Sequence, residues 1–266
     1  MRKFVFGLAG GIALLTAVVL YFQMVHAYQV RVSEHFVSSS QIPAPFNGAR
    51  LIQLSDLNIE TARDVRVLER VVEEVNELAP DMIALTGNVF GTGSVSAQIM
   101  NDTAYLLGNL QADIGKVAVL GGTDLEREDE VMALLDSVDF HVLRNEYRQF
   151  FNGTVAGITF LGMDPASRGN HPNHLMAQVN LEDTFQILLT HEGQFAASVV
   201  EHNIGLKLAG YCLGQSAPTV QCSQFSEGAY RFADQLVNIS AGVGSGNGIF
   251  GFLKRPSMDS FLLMRQ

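Results

Sequence analysis

Side chains that can bind a divalent metal follow several short apolar segments of this 266-residue chain. Asp56 and Asn58 follow one such segment, Asn88 the next, Asp124 a third and His191 a later one. Carboxylate and imidazole groups are common ligands of divalent metals, and an amide oxygen is a weaker one. Because an α/β sheet collects its site at the carboxyl ends of its strands, we expect these residues to lie close together. The chemistry open to them is metal binding and metal-assisted catalysis.

The segments that position these residues alternate between strand and helix patterns. Apolar residues recur every three or four positions from Val65 to Leu78, which predicts an amphipathic helix that ends before Pro80. Further helices are predicted near 97–110 and 195–202. Strands are predicted at 28–32, 50–54, 82–86, 116–120, 142–143, 155–161, 185–189, 206–208, 236–240 and 261–264. This order of strands and helices indicates an α/β fold.

The order of the motifs resembles the calcineurin-like metallophosphoesterases, and in particular their membrane-anchored branch. That family carries, in order, Asp-x-His, Gly-Asp, Gly-Asn-His-Asp, a single His and Gly-His-Thr-His-Gly-Gly-Gln. The corresponding stretches here are Asp56-Leu57-Asn58, Gly87-Asn88, Gly121-Gly122-Thr123-Asp124, His191 and Gly210-Tyr211-Cys212-Leu213-Gly214-Gln215. The match spans about residues 50 to 264. The resemblance implies a four-layer αββα sandwich of two mixed sheets, and residues 28–266 are enough for one such domain.

In this family two divalent cations bind the phosphoryl oxygens and activate a bridging water, which requires a carboxylate between the metals and imidazoles around them. The resemblance places Asn88 at the bridging carboxylate, and a neutral amide cannot offset the repulsion between two dications. Asn58 is a milder loss, since its amide oxygen remains a weak ligand. The other replaced positions are Gly122, Thr123, Tyr211 and Leu213. Thr123 stands where the family keeps a histidine that acts on the substrate, and a hydroxyl cannot act as a general acid near neutral pH.

Asp56 and His191 keep the family's residues, and Asp124 remains as the supporting carboxylate of a histidine that is absent. Two ligands do not hold two metals, and a catalytic site needs about three protein ligands. We therefore expect no catalytic residues and no cofactor, so that the chain is a pseudoenzyme with a remnant cleft. That cleft is formed by Asp56, Asn58, Asn88, Asp124 and His191. The alternative is a residual phosphoric ester hydrolase, acting on membrane-proximal phosphoesters with one Mn, Fe or Zn ion bound weakly by Asp56 and His191.

The first 27 residues predict a membrane anchor. Two basic residues precede a run from Phe4 to Val25 that is apolar apart from glycines and two polar positions, long enough to span a bilayer. The positive-inside rule then leaves the N-terminus in the cytoplasm and residues 28–266 outside, as a single-pass membrane protein. The small residue Ala27 is compatible with cleavage by a signal peptidase, so removal of the segment stays open.

The charge of the chain limits the kinds of partner that it can bind. A formal net charge of −10 repels nucleic acid and phosphate, and no basic patch offsets it. We therefore expect no nucleic acid, and we favour a protein partner, such as an intact paralogue, or a neutral ligand over a phosphate. The two cysteines, Cys212 and Cys222, could form one disulfide or remain free thiols.

Overall fold

The protein is described by a computed structural model that covers residues 28–165, 184–193, 204–210, 227–232, 235–244 and 255–266, with single positions at 11, 14, 16, 17, 21 and 175. The strands in this part are β1 (Arg31–Ser39), β2 (Arg50–Leu54), β3 (Met82–Thr86), β4 (Gly115–Val119), β5 (Phe140–Val142), β6 (Glu146–Phe151), β7 (Gly157–Gly162), β8 (Gln186–Thr190), β9 (Leu206–Ala209), β10 (Gly228–Phe232), β11 (Gln235–Ile239) and β12 (Ser257–Arg265). The α-helices that lie wholly within the continuous described ranges are α1 (Ala62–Glu77), α2 (Ala97–Gly108) and α3 (Glu128–Ser137). Short 3₁₀ turns lie at Ala44–Phe46 and Asp124–Arg127.

The strands form two mixed sheets. The first has the order β1-β12-β2-β3-β4-β5, in which β2 to β5 are parallel and β12 runs antiparallel to β2. The second has the order β10-β11-β9-β8-β7-β6, with antiparallel pairs at its two ends. Every residue of β3 and β8 is buried, which is typical of parallel strands covered on both faces. The predicted α/β fold with two mixed sheets is confirmed.

Apolar side chains fill two main layers. One lies between the sheets and includes Leu51, Ala84, Leu189 and Phe261. The other lies between the first sheet and the helices, where α1 contributes its buried stripe of Val67, Leu68, Val71, Val72 and Val75. The loops of the site are therefore attached to strands that cannot shift without opening a packed core.

The start of α1 fixes the loop that follows β2. Thr61 caps the helix by accepting a hydrogen bond from the backbone N–H of Asp64, and the Asp64 carboxylate accepts one from the backbone N–H of Thr61 at 2.8 Å. This reciprocal capping box satisfies two backbone donors that the helix itself leaves unpaired. Residues 55–60 thus have fixed attachments at both ends.

Several predicted elements match the structure. The strands predicted at 50–54 and 82–86 coincide with β2 and β3, and the helices predicted from Val65 and near 97–110 correspond to α1 and α2. The strand predicted at 28–32 begins too early, since β1 starts at Arg31 and continues through polar residues to Ser39. The helix predicted near 195–202 lies outside the described residues.

Among the described strands and α-helices, three were not predicted. The strands β6 and β10 expose most of their side chains and lack the apolar alternation that marks a half-buried strand. The helix α3 has an acidic first turn and only three buried residues. Partners elsewhere in the fold, rather than local pattern, stabilise these segments.

The predicted membrane anchor, residues 1–27, lies outside the described residues apart from single positions. No helix within the described ranges combines the length and the apolar character needed to cross a membrane.

Candidate functional site

Three side chains meet where three buried strands end. Asp56 follows β2, Asn88 follows β3 and His191 is the first residue after β8. Their exposed fractions are 0%, 3% and 7%, respectively. The loops after β2 and β3 are hydrogen-bonded to each other, from the Asp56 N–H to the Gly87 carbonyl at 2.9 Å and from the Asn58 N–H to the Asn88 carbonyl at 3.0 Å. The structure therefore brings these three residues together at the carboxyl ends of strands from both sheets, β2 and β3 of the first and β8 of the second.

The amide group of Asn88 joins the other two side chains. Its Nδ2 donates to Asp56 Oδ1 at 2.9 Å and lies 3.0 Å from His191 Nε2. An amide NH₂ carries two hydrogens and has no lone pair to offer, so it must also donate to the imidazole nitrogen. Asp56 Oδ1 and His191 Nε2 are themselves 3.9 Å apart. Hydrogens of Asn88 thus occupy the space between a carboxylate and an imidazole.

The protonation of His191 follows from these contacts. Its Nδ1 lies 2.8 Å from the Thr86 carbonyl oxygen, which can only accept, so Nδ1 carries a hydrogen and Nε2 is the acceptor for Asn88. Burial lowers the pKa of His191, while the carboxylates of Asp56 and Glu192 raise it, and the net shift is upward. A second hydrogen on Nε2 would face the hydrogens of Asn88, so protonation of His191 requires the amide to turn.

The orientation of the Asn88 amide is fixed from its other side. Its Oδ1 accepts hydrogen bonds from the Thr123 backbone N–H at 3.1 Å and lies 2.8 Å from the Thr123 hydroxyl. That hydroxyl is also 2.7 Å from the Phe90 carbonyl, and its single hydrogen can serve only one of the two acceptors at a time. Turning the amide would set Nδ2 against the Thr123 N–H donor. Thr123 therefore holds Asn88 in the position that contacts Asp56 and His191.

Asp124 joins the loop after β3 to the loop after β4. Its completely buried carboxylate accepts three backbone N–H groups, from Asn88 at 2.7 Å, Val89 at 2.8 Å and Gly121 at 2.8 Å. Burial raises the pKa of Asp124, and the three N–H donors oppose that shift without cancelling it. The Asp124 carboxylate therefore contacts the backbone N–H of Asn88 rather than its side-chain amide group.

The backbone around the site adopts left-handed conformations. Asp56, Asn58 and Asn88 have φ values of 49°, 47° and 58°, in the region where Asn and Asp are the best tolerated residues other than glycine. At Gly121 an added Cβ would collide with the Asn88 amide and its backbone nitrogen. At Gly122 an added Cβ would meet nothing within 4 Å, so open space adjoins this position.

These residues do not fit a pair of divalent cations. The oxygen Asp56 Oδ1 and the nitrogen His191 Nε2, which could ligate a metal, are both occupied by Asn88 hydrogens, and Asp56 Oδ2 accepts a hydrogen bond from the Ser55 hydroxyl at 2.7 Å. A cation placed between them would face N–H groups instead of lone pairs. Across the ranges that the structure describes, no three His, Cys, Asp or Glu side chains form a metal-binding group.

The predicted remnant residues lie together in this cluster. Asp56, Asn88 and His191 touch through side chains, Asn58 Nδ2 bonds the Asp56 carbonyl at 3.2 Å, and Asp124 bonds the Asn88 backbone. Tyr211 and Leu213, as well as both cysteines, lie outside the described residues. Sequence reasoning missed the Ser55 hydroxyl and the Thr86 carbonyl, because neither residue departs from what an ordinary buried strand end would contain. That the cluster lacks catalytic activity and binds metal weakly or not at all stays a prediction.

Two known proteins similar to this chain carry the word metallophosphoesterase in their names, and a third is named a pyrophosphatase. No family model matches the chain. A Bacillus subtilis protein, "Uncharacterized metallophosphoesterase YkuE", is 26% identical over an aligned length of 255 residues, and the alignment covers 91% of this chain and 88% of that protein. A Danio rerio protein, "Transmembrane protein with metallophosphoesterase domain", is 27% identical over an aligned length of 254 residues, and the alignment covers 87% of this chain and 57% of the relative. The Chlamydia muridarum "UDP-2,3-diacylglucosamine pyrophosphatase LpxG" is 31% identical over 81 residues, 30% of this chain and 24% of that protein.

A solved structure shares the fold. The crystal structure of the protein TT1561 of Thermus thermophilus superimposes with a TM-score of 0.50 at 14% sequence identity, covering 74% of this chain and 90% of the other. At this identity the likeness concerns the arrangement of sheets and helices alone.

Proposed function

Since the chain is a relative of the metallophosphoesterases, we propose that it is a copy of their domain that has lost hydrolysis and acts by binding a protein partner or a neutral ligand. The domain is held at a membrane by residues 1–27, with residues 28–266 on the extracytoplasmic side. The word "Transmembrane" in the name of the Danio rerio relative and the apolar run from Phe4 to Val25 support this placement.

The observation that carries the proposal is the double hydrogen bond of Asn88. An amide at this position bonds Asp56 and His191 directly, at 2.9 and 3.0 Å, so these three side chains bond one another without any metal. Metal binding would have to break both bonds, and also those that Thr123 makes to the amide oxygen. Each such bond is worth about 1 kcal/mol net, and more where the acceptor is the charged Asp56. The metal bonds that Asp56 and His191 alone could make are too few to offset the loss of these hydrogen bonds.

Metal analysis tests the proposal. The purified chain is loaded with Mn²⁺ or Zn²⁺, desalted and assayed for bound metal and for hydrolysis of an aryl phosphate. We expect far less than one metal per chain and no turnover. Asp56→Ala is the control, because any residual site must use this carboxylate. Stoichiometric metal together with turnover that Asp56→Ala abolishes would overturn the proposal.

Restoring the family's ligands tests whether the scaffold is intact. The combined substitutions are Asn58→His, Asn88→Asp, Gly122→Asn, Thr123→His, Tyr211→His and Leu213→His. A Cβ added at Gly122 would meet nothing within 4 Å, so the first atom of its new side chain fits without a clash. We expect this variant to bind metal where the parent chain does not. A folded variant that stays free of metal would mean that the motifs have been aligned wrongly.

A second candidate function is a residual phosphoesterase with one metal ion. The adjacency of Asp56 Oδ1 and His191 Nε2, 3.9 Å apart, favours it, because both atoms could reach one ion if Asn88 turned away. This candidate predicts one Mn, Fe or Zn ion per chain, lost in Asp56→Ala and in His191→Ala alike.

A further inference from the structure

The first strand of the domain begins at the same end as the site. Arg31, at the start of β1, pairs with Ser257 of β12, and Asp259 of β12 pairs with Gln53 of β2. Since β12 and β2 are antiparallel, Ser257 lies level with Ser55, the residue before Asp56. Two strand spacings of about 4.8 Å separate Arg31 from Ser55, so the chain enters the fold about 10 Å from the site loops.

The entry of the chain at this end is fixed by contacts. The Arg31 backbone N–H donates to the Pro256 carbonyl at 2.8 Å, and Arg255 Nε donates to the Gln29 carbonyl at 3.0 Å. Tyr28 and Val30 pack against the core between the first sheet and the helices. The first described residues are therefore bound to the domain and do not act as a free linker.

The connection to the apolar run is short. Only two residues, His26 and Ala27, separate Val25 from Tyr28. Three residue steps span at most about 10 Å when fully extended. The β2 to β5 strands are up to five residues long, which places the opposite end of the sheet about 17 Å further away. The site end must then be the end nearer to any membrane that holds the apolar run.

We infer that the site end of this domain lies against the bilayer and that its partner surface is the lipid headgroup layer. The inference deepens the proposed function and rests on its membrane anchoring, although not on the loss of hydrolysis. Because the net charge of −10 gives no attraction to anionic lipid, the contact does not depend on anionic headgroups. We therefore expect it with zwitterionic lipid. Gly122 follows β4 and so lies at this end, and an added Cβ there would meet nothing within 4 Å.

The absence of tryptophan from the chain makes the test simple. Ser94→Trp places a single reporter in the exposed loop after β3, at the site end, and Asp113→Trp places one before β4, at the opposite end. The full chain is reconstituted into phosphatidylcholine vesicles, and fluorescence is quenched with a lipid that carries a nitroxide on its headgroup. Ala62→Trp and Ala44→Trp form a second exposed pair at the same two ends, in case either loop variant fails to fold.

We expect the site-end reporters to be quenched at least twofold more than the opposite-end reporters, in chains that co-float with the vesicles. Equal or reversed quenching in co-floating chains would overturn the inference and leave the anchor intact. Chains that do not co-float would overturn the anchoring and the inference together. The metal analysis is independent of all three results, so a failure here is distinguishable from a failure of the pseudoenzyme proposal.

Discussion

Replacing Asn88 with aspartate, the residue that a two-metal site would require, should destabilise the metal-free chain in a pH-dependent way. The substitution removes both Nδ2 hydrogens and sets an oxygen 2.9 Å from Asp56 Oδ1, in a position where the two residues are 3% and 0% exposed. Two carboxylates at this separation repel by about 4–6 kcal/mol at an effective dielectric constant of about 20. They will not both stay ionised.

Uptake of one proton limits this cost. An aspartate with an unfolded pKa of about 3.9 that stays protonated in the folded chain costs about 4 kcal/mol at pH 7 and almost nothing at pH 4. The lost hydrogen bond to His191 adds about 1 kcal/mol at pH 7, where Nε2 is the acceptor. At pH 4 the upward-shifted pKa of His191 leaves its ring protonated, so neither chain has this bond. The native variant binds more protons than its unfolded state across this window, so its stability falls as pH rises. We expect Asn88→Asp to be about 5 kcal/mol less stable than the parent at pH 7 and less stable by under about 1 kcal/mol at pH 4.

Urea denaturation followed by circular dichroism, in the presence of a chelator and at pH values from 4 to 7, measures this difference. Asn88→Ala is the control without an added charge, because it removes the hydrogen bonds of Nδ2 and also those that Oδ1 accepts from Thr123. Its cost should be about 2–4 kcal/mol and nearly independent of pH. A difference for Asn88→Asp that stays constant with pH, or that equals the alanine variant throughout, would refute the placement of Asn88 against Asp56.

Two further outcomes follow from the packing and charge of buried groups. Gly121→Ala should lower the free energy of unfolding by about 1–3 kcal/mol in urea denaturation, because its Cβ meets the backbone nitrogen of Asn88. Gly122→Ala is the control, and with open space around its Cβ it should change that free energy by less than about 0.5 kcal/mol. Burial lowers the pKa of Lys207 to about 8, so below that pH the folded chain must hold a charged amine away from water. Lys207→Met should therefore have a free energy of unfolding about 1–2 kcal/mol higher than the parent at pH 7, after allowing for the lost bond to Gln235. This gain should disappear as pH approaches 10.5, because the lysine is then neutral in the folded chain. An equal gain in the free energy of unfolding at pH 7 and at pH 10.5, measured by urea denaturation, would count against the burial of the charge.

The sequence predicts best the elements whose pattern is set by burial alone. β2 and β3 coincide with their predicted bounds because continuous apolar runs between helices are typical of central parallel strands. β6 could not be predicted in this way, since its exposed side chains are held by pairing with β7 and by one buried residue, Phe150.

The residues of the site were predictable, but their contacts were not. Motif order alone brings Asp56, Asn88 and His191 together, yet the bonds of Asn88 join positions 32 and 103 residues apart along the chain. Whether an amide there leaves a gap or bridges its neighbours depends on rotamers that no local pattern encodes. Asp124 shows the same limit, because the three backbone amides that it binds lie in two different loops.

The most direct measurement of the central claim is anomalous diffraction from crystals of the chain soaked in Mn²⁺. The hydrogens of Asn88 between Asp56 and His191 predict no well-occupied anomalous peak within coordination distance, about 2–2.5 Å, of Asp56 Oδ1 or His191 Nε2. Two strong peaks on either side of Asn88 would contradict it.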